Sequence, residues 1–193
     1  MTKRRQPRVW LGLVLTVLLG ATPAPVAGAT ARTLIRFQDP VILPTGLLHA
    51  LPDHRTAKCR LYRLQGGSLE PVPFQFDARD DDGDLVFPKT PAAEEFIFDD
   101  NDELVFMAKD VGDRAGREML PPDSDGALEI VVTDPIDGTV GWAYLVHFAD
   151  QVPPRSPIRY ATFDEKTNEV RALFYRMTYF PGRNFFTGMR ITP

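Results

Sequence analysis

From residue 33 onward the apolar residues of this chain fall in short runs, each closed by Pro, Gly, Asp or Asn within about ten positions. The stretch 96–114, FIFDDNDELVFMAKDVGDR, sets the pattern: a dense acidic turn, an apolar run, then another polar turn. In an extended strand Leu104, Phe106 and Ala108 point to one face and Val105 and Met107 to the other, so both faces are apolar. That composition predicts a central strand covered on both sides. Residues 34–37 and 41–43 are shorter strand candidates, and 47–51 either pairs at an edge or begins a loop. Residues 58–64 and 69–78 flank Gln65-Gly66-Gly67-Ser68, whose two glycines supply positive φ, and predict a β-hairpin. Its second strand puts Val72, Phe74 and Phe76 on one face. Pro71 and Pro73 lack backbone donors, which places that strand at an edge or beside a bulge.

Residues 127–133 read as a second strand apolar on both sides, and in 141–148 Trp142, Tyr144, Val146 and Phe148 alternate with Ala143, Leu145 and His147. Residues 160–163 and 170–180 flank the turn 164–168 as a second hairpin. No segment keeps a helical period over a dozen residues. The pattern as a whole predicts an all-β chain, an antiparallel β-sandwich, with Leu104, Phe106, Ile130, Val132, Tyr144 and Val146 in its core.

The first 29 residues follow a different logic. Lys3, Arg4, Arg5 and Arg8 precede an apolar segment, 9–21, and the small residues Ala27-Gly28-Ala29 follow it. Basic, apolar and small in that order is the make-up of a secretory signal peptide, with cleavage after Ala29 or Ala31 and a single domain over 30–193. The apolar segment is short for a membrane span, so no span is expected after cleavage. Pro7 replaces the apolar residue that a twin-arginine signal would carry. Location in the periplasm or outside the cell follows as the expectation.

Loss of four basic residues with that segment changes the charge from 22 basic and 26 acidic to 18 and 26, a net of −8. A chain this acidic repels phosphate backbones, which argues against nucleic acid as a partner. The charge is also unevenly spread. Between Asp77 and Asp110 stand twelve acidic and three basic residues, and from Gln151 to the end seven basic and three acidic ones. The single cysteine, Cys59, has no internal disulfide partner; it is either a buried inert thiol or one that reacts with another molecule.

Candidate chemistry is sparse. His49, His54 and His147 are scattered and read as structural, no serine stands in a G-x-S-x-G setting, and no nucleotide-binding glycine pattern occurs. Two of Asp77, Asp99, Asp102 and Glu103 would make a glycosidase pair if they faced each other across a sugar. Calcium is a second use of the same acids. Asp80, Asp82, Gly83 and Asp84 approach a D-x-D-x-D-G loop, but Ala78 and Lys89 stand at its first and closing ligand positions, so an irregular turn site is what remains. Asp99, Asn101 and Glu103 repeat the alternate-oxygen spacing, and the other reading of both turns is that they bind nothing and keep the chain soluble.

The strings PVPFQFD at 71–77 and NDELVFMAKDVGDR at 101–114 together resemble a group of exported bacterial β-rich proteins, and more loosely the N-terminal β-sandwich of some polysaccharide lyases. The similarity covers about a quarter of the chain after the leader and carries over no catalytic residue. It implies a β-sandwich of carbohydrate-facing or cell-envelope type, without the further catalytic domain of the lyases. The expected function is therefore a non-catalytic exported module of the cell envelope that binds polysaccharide or an envelope protein. Tyr175 and Tyr179, which share a strand face with Met177 near Phe185 and Phe186, are the candidate sugar platform. The alternative is a fragment or small member of a lyase or glycosidase type enzyme, with Tyr179 or Arg176 acting beside a carboxylate of the 99–103 turn. The apolar run 184–193 reads as a strand cut within a longer architecture.

Overall fold

The computed structural model describes residues 15–16, 30–86, 95–183 and 185–191. Most of the leader and the loop expected at 88–91 therefore lie outside the described residues. The strands in chain order are β1 Leu15–Thr16, β2 Pro40–Pro44, β3 Cys59–Gln65, β4 Ser68–Pro71, β5 Phe74–Asp77, β6 Glu103–Met107, β7 Gly126–Thr133 and β8 Val140–His147. Four more follow: β9 Ala161–Asp164, β10 Glu169–Ala172, β11 Tyr175–Tyr179 and β12 Phe186–Ile191. Helical structure among the described residues is confined to single 3₁₀ turns, one of them at Thr45–Leu48, where the sequence suggested an edge or loop. Among the described residues no helix is long and apolar enough to cross a membrane. The chain is all-β and antiparallel, of sandwich type, in two compact units, Met1–Ser156 and Pro157–Pro193.

In the first unit a five-stranded sheet, β1-β7-β8-β3-β4, and a three-stranded sheet, β2-β6-β5, share one core. Val41, Leu43, Leu104 and Phe106 come from the small sheet, and Leu61, Leu128, Ile130, Val132 and Leu145 from the large one. The opposite face of the large sheet is buried too, through Tyr62, Leu64, Trp142, Tyr144, Val146 and Phe148. β8 is therefore enclosed on both sides, with every residue from Gly141 to His147 buried. All six residues expected in the core are buried.

The glycine turn behaves as its residues require. Gly66 and Gly67 take φ of 58° and 82°, and Gln65 pairs with Ser68 across them. Pro71 and Pro73 mark a change of sheet: β4 ends at Pro71 and β5 begins at Phe74 in the other sheet, with Val72 buried between them. Residues 34–37, expected as a short strand, form no strand; Leu34 is buried but the segment does not pair into a sheet. Two further expectations need correction. β6 is central in its sheet but covered on one side only, because Val105 and Met107 face outward and stay half-buried. The run 170–180 is two strands, since Leu173 and Phe174 turn the chain between β10 and β11.

The second unit is one four-stranded sheet, β12-β11-β10-β9. Asn168 closes its first turn with a left-handed φ of 48°, a conformation asparagine tolerates, and Gly182 with 70° shapes the β11–β12 turn.

Candidate functional site

The register of the second unit sorts its side chains completely. Phe163, Val170, Met177 and Met189 form one row across all four strands, and Tyr175 pairs with Ile191 on the same face. A bulge between Thr178 and Tyr179 brings Tyr179 opposite Phe186, and its hydroxyl lies 3.8 Å from the Met177 sulfur. The other face carries the row Thr162, Arg171, Arg176 and Arg190. One side is thus apolar and aromatic, the other polar and basic.

Within the unit there is one sheet and no second layer, so the apolar face keeps much of its surface. Phe163 is 57 % exposed, Met189 56 %, Phe186 60 % and Ile191 70 %, while Tyr175 and Tyr179 are half-buried among them. Large contiguous apolar patches of this kind mark binding surfaces. At the β11–β12 turn Phe180, Pro181, Arg183 and Phe185 line a shallow depression. The two tyrosines expected as a platform do share a face, and Phe163, far from them in sequence, joins it through the β9–β10 register.

The acidic turns of the first unit also come together. The Asn101 side-chain amide donates to the carbonyl oxygens of Arg79, at 3.1 Å, and Asp80, at 3.0 Å. Their carboxylates largely serve the backbone. Asp80 accepts from the N–H groups of Asp82 and Asp84, Asp99 from that of Asn101, and the buried Asp102 from those of Arg79 and Asp99. Glu103 is held by Arg79 at 2.7 Å. Among the described residues no group of three or more His, Cys, Asp or Glu side chains is placed to hold an ion.

Of the four acids considered as a glycosidase pair, Asp77 and Glu103 are direct cross-strand partners on the outer face of the β5–β6 ladder. The Asp77 carboxyl is raised from its ordinary value, first by burial and further by the Glu103 charge, against the lowering effect of a 2.6 Å hydrogen bond from Gln75. Asp102 is spent inside the turn.

Strand register also assembles a group the sequence did not disclose. Cys59 lies directly opposite His147, whose Nδ1 is 2.6 Å from the Asp125 carboxylate. A thiol, an imidazole and a carboxylate in one place invite comparison with a nucleophilic triad. Here the thiol is wholly buried and burial pushes it up to about 12, so it stays protonated and unreactive. His54, by contrast, stacks on Phe98 at 4.8 Å between centroids, and Phe98 on Phe76 at 5.2 Å, which makes it part of the packing.

Comparison with family models, with curated proteins and with solved structures returned no match.

Proposed function

We propose that this chain is an exported, non-catalytic binding module of the cell envelope, and that it takes polysaccharide on the apolar face of the β9–β12 sheet. The observation that carries the reading is the open face itself, where Tyr175, Tyr179, Phe163 and Phe186 stand on one side of a sheet that has no second layer of its own. Sugar rings present apolar C–H faces that pack on flat aromatic surfaces, while tyrosine hydroxyls offer hydrogen bonds to ring substituents. Both strings that resemble exported carbohydrate-facing proteins, 71–77 and 101–114, contribute strands of the first unit. Glycan-array binding by the wild-type chain and by a Tyr175→Ala, Tyr179→Ala double variant tests the proposal. Glycan capture by the wild type that is lost in the variant is the expected result; equal signals from the two proteins, or none from either, would refute it.

A second reading rests on Asp77 and Glu103. The Asp77 carboxyl, raised by burial, directly opposes Glu103, which Arg79 holds at 2.7 Å, and two facing carboxyls are the groups that glycoside cleavage uses. In that case Asp77→Asn would abolish sugar release from a polysaccharide substrate and leave binding intact.

A further inference from the structure

The basic face of the β9–β12 sheet points to a ligand of definite charge. Arg171, Arg176 and Arg190 are consecutive in one cross-strand row, Arg171 opposite Arg176 and Arg176 opposite Arg190. Neighbouring strands lie about 4.8 Å apart, so three guanidinium groups start from backbone positions spanning roughly 10 Å. Like charges directly opposed across an antiparallel pair destabilise it. Arg171 is relieved by Glu169 and, at 3.9 Å, by Asp164. Arg176 and Arg190 are exposed and, among the described residues, neither makes an ion pair or a side-chain hydrogen bond. The repulsion between them is left standing.

The rest of that face suits an extended chain. Thr162 ends the arginine row, and the next row runs from Asp164 and Glu169 to Thr178 and Gly188. Gly188 has open space where a side chain would project, so the surface beside Arg176 and Arg190 is low. The charge is also concentrated here. Residues 157–193 hold six basic and three acidic residues, whereas residues 30–156 hold 12 basic and 23 acidic ones.

We infer that the arginine row binds a linear acidic polysaccharide, one whose repeating carboxylates pair with Arg176 and Arg190. The guanidinium fork matches a carboxylate through two parallel hydrogen bonds, which a lysine row could not do. The inference rests on the polysaccharide reading for the class of polymer, but it uses the opposite side of the sheet from Tyr175 and Tyr179. The two sites can therefore be removed separately.

The test measures binding of the full chain to polygalacturonate, to neutral dextran and to single-stranded DNA, by affinity electrophoresis at low and at moderate salt. Arg176→Gln, Arg190→Gln is expected to weaken polygalacturonate binding at least tenfold and to flatten its salt dependence, while Tyr175→Ala, Tyr179→Ala leaves that binding in place. Arg176→Lys, Arg190→Lys keeps the charge and loses the fork, and should fall between. Near-ultraviolet circular dichroism matching the wild type shows that each variant is folded; a variant that fails this is replaced by the corresponding single substitution. Polygalacturonate bound no more tightly than dextran, or unaffected by the glutamine pair, overturns the inference. Equal retention of DNA at the same charge concentration overturns it too, because the row would then be reading charge alone. Dextran binding lost in the tyrosine pair, together with polygalacturonate binding unaffected by the glutamine pair, would uphold the proposed function while this inference fails. Dextran binding unchanged in the tyrosine pair, together with polygalacturonate binding weakened by the glutamine pair, would do the reverse.

Discussion

In residues 30–156 the apolar face of each sheet meets another: Val41, Leu43, Leu104 and Phe106 close on Leu61, Ile130 and Leu145, and on the far side of β8 Trp142 and Tyr144 are covered in a cluster with Ala115, Met119, Leu120 and Val152. In residues 157–193 a sheet of similar regularity and clean alternation has one layer, and Phe163, Met189 and Ile191 stay in contact with solvent. Local sequence makes strands equally well in both. What differs is whether a second apolar face exists to complete the burial, and that separates side chains that hold a fold from side chains free to hold a ligand.

The comparison breaks most visibly in the core. Phe106→Ala removes a buried aromatic ring and should cost ~3–5 kcal/mol, whereas Phe163→Ala should cost about 1 kcal/mol or less. Equilibrium denaturation of the two variants checks this, and equal losses would mean the second sheet is covered after all.

Next in size is Gly112→Ala. A Cβ at Gly112 would stand 2.1 Å from the Leu64 carbonyl oxygen, where the chain bridges to β3 and to Trp142. Backbone cannot swing aside as a side chain does, so a loss of about 1–3 kcal/mol is expected. Gly188→Ala in the open sheet meets nothing and should change stability little. Thermal melting of both variants provides the contrast.

Amide hydrogen exchange sharpens the same point without mutation. β8 should be protected close to the level of global unfolding, while β9 and β12, at the edges of the single-layer sheet, should exchange orders of magnitude faster.

How much of this was readable from residues alone varies with the kind of information. Strand existence was legible because alternation is local: the Gly66-Gly67 hairpin, the buried run at β8 and the aromatic face of Tyr175 and Tyr179 all follow from neighbours in sequence. Pairing is not local. Nothing within 55–65 announces that Cys59 will face His147, nor within 99–103 that Glu103 will face Asp77, because register is fixed by a partner 88 residues away in the first case and 26 in the second. The misreading of β6 has the same origin. Val105 and Met107 are apolar enough for burial, and whether a layer arrives to cover them is decided elsewhere in the chain.

A smaller effect is expected at Asp77. Its folded carboxyl is raised above the unfolded value, so the charge costs stability above the folded value and costs nothing below the unfolded one. Asp77→Asn should therefore raise the melting temperature by roughly 1–3 °C at neutral pH, with the gain vanishing near pH 3. Asp134 has the opposite sign, lowered by its hydrogen bonds from Arg36 and the Ile136 amide, and its contribution should disappear as pH falls through its folded value. The smallest change concerns calcium. With Asp80, Asp99 and Asp102 accepting backbone hydrogen bonds and Glu103 paired to Arg79, melting curves in millimolar calcium and in chelator should superpose within about a degree. A dose-dependent rise with calcium would instead place an ion at these turns.

The enclosed thiol turns the difference between the units into a clock. Cys59 is the one cysteine of the chain, sits on β3 opposite His147 of β8 with no exposed surface, and is pushed by burial far above the pH of any ordinary buffer. An alkylating reagent can consume it only in molecules whose large sheet has opened, so the rate of labelling counts those openings one by one. Events in residues 157–193, which hold no sulfhydryl, leave the count untouched. A ligand that slows labelling would thereby report that its binding energy reaches the sandwich, and a ligand that leaves the rate unchanged would report that the open sheet keeps its affairs to itself.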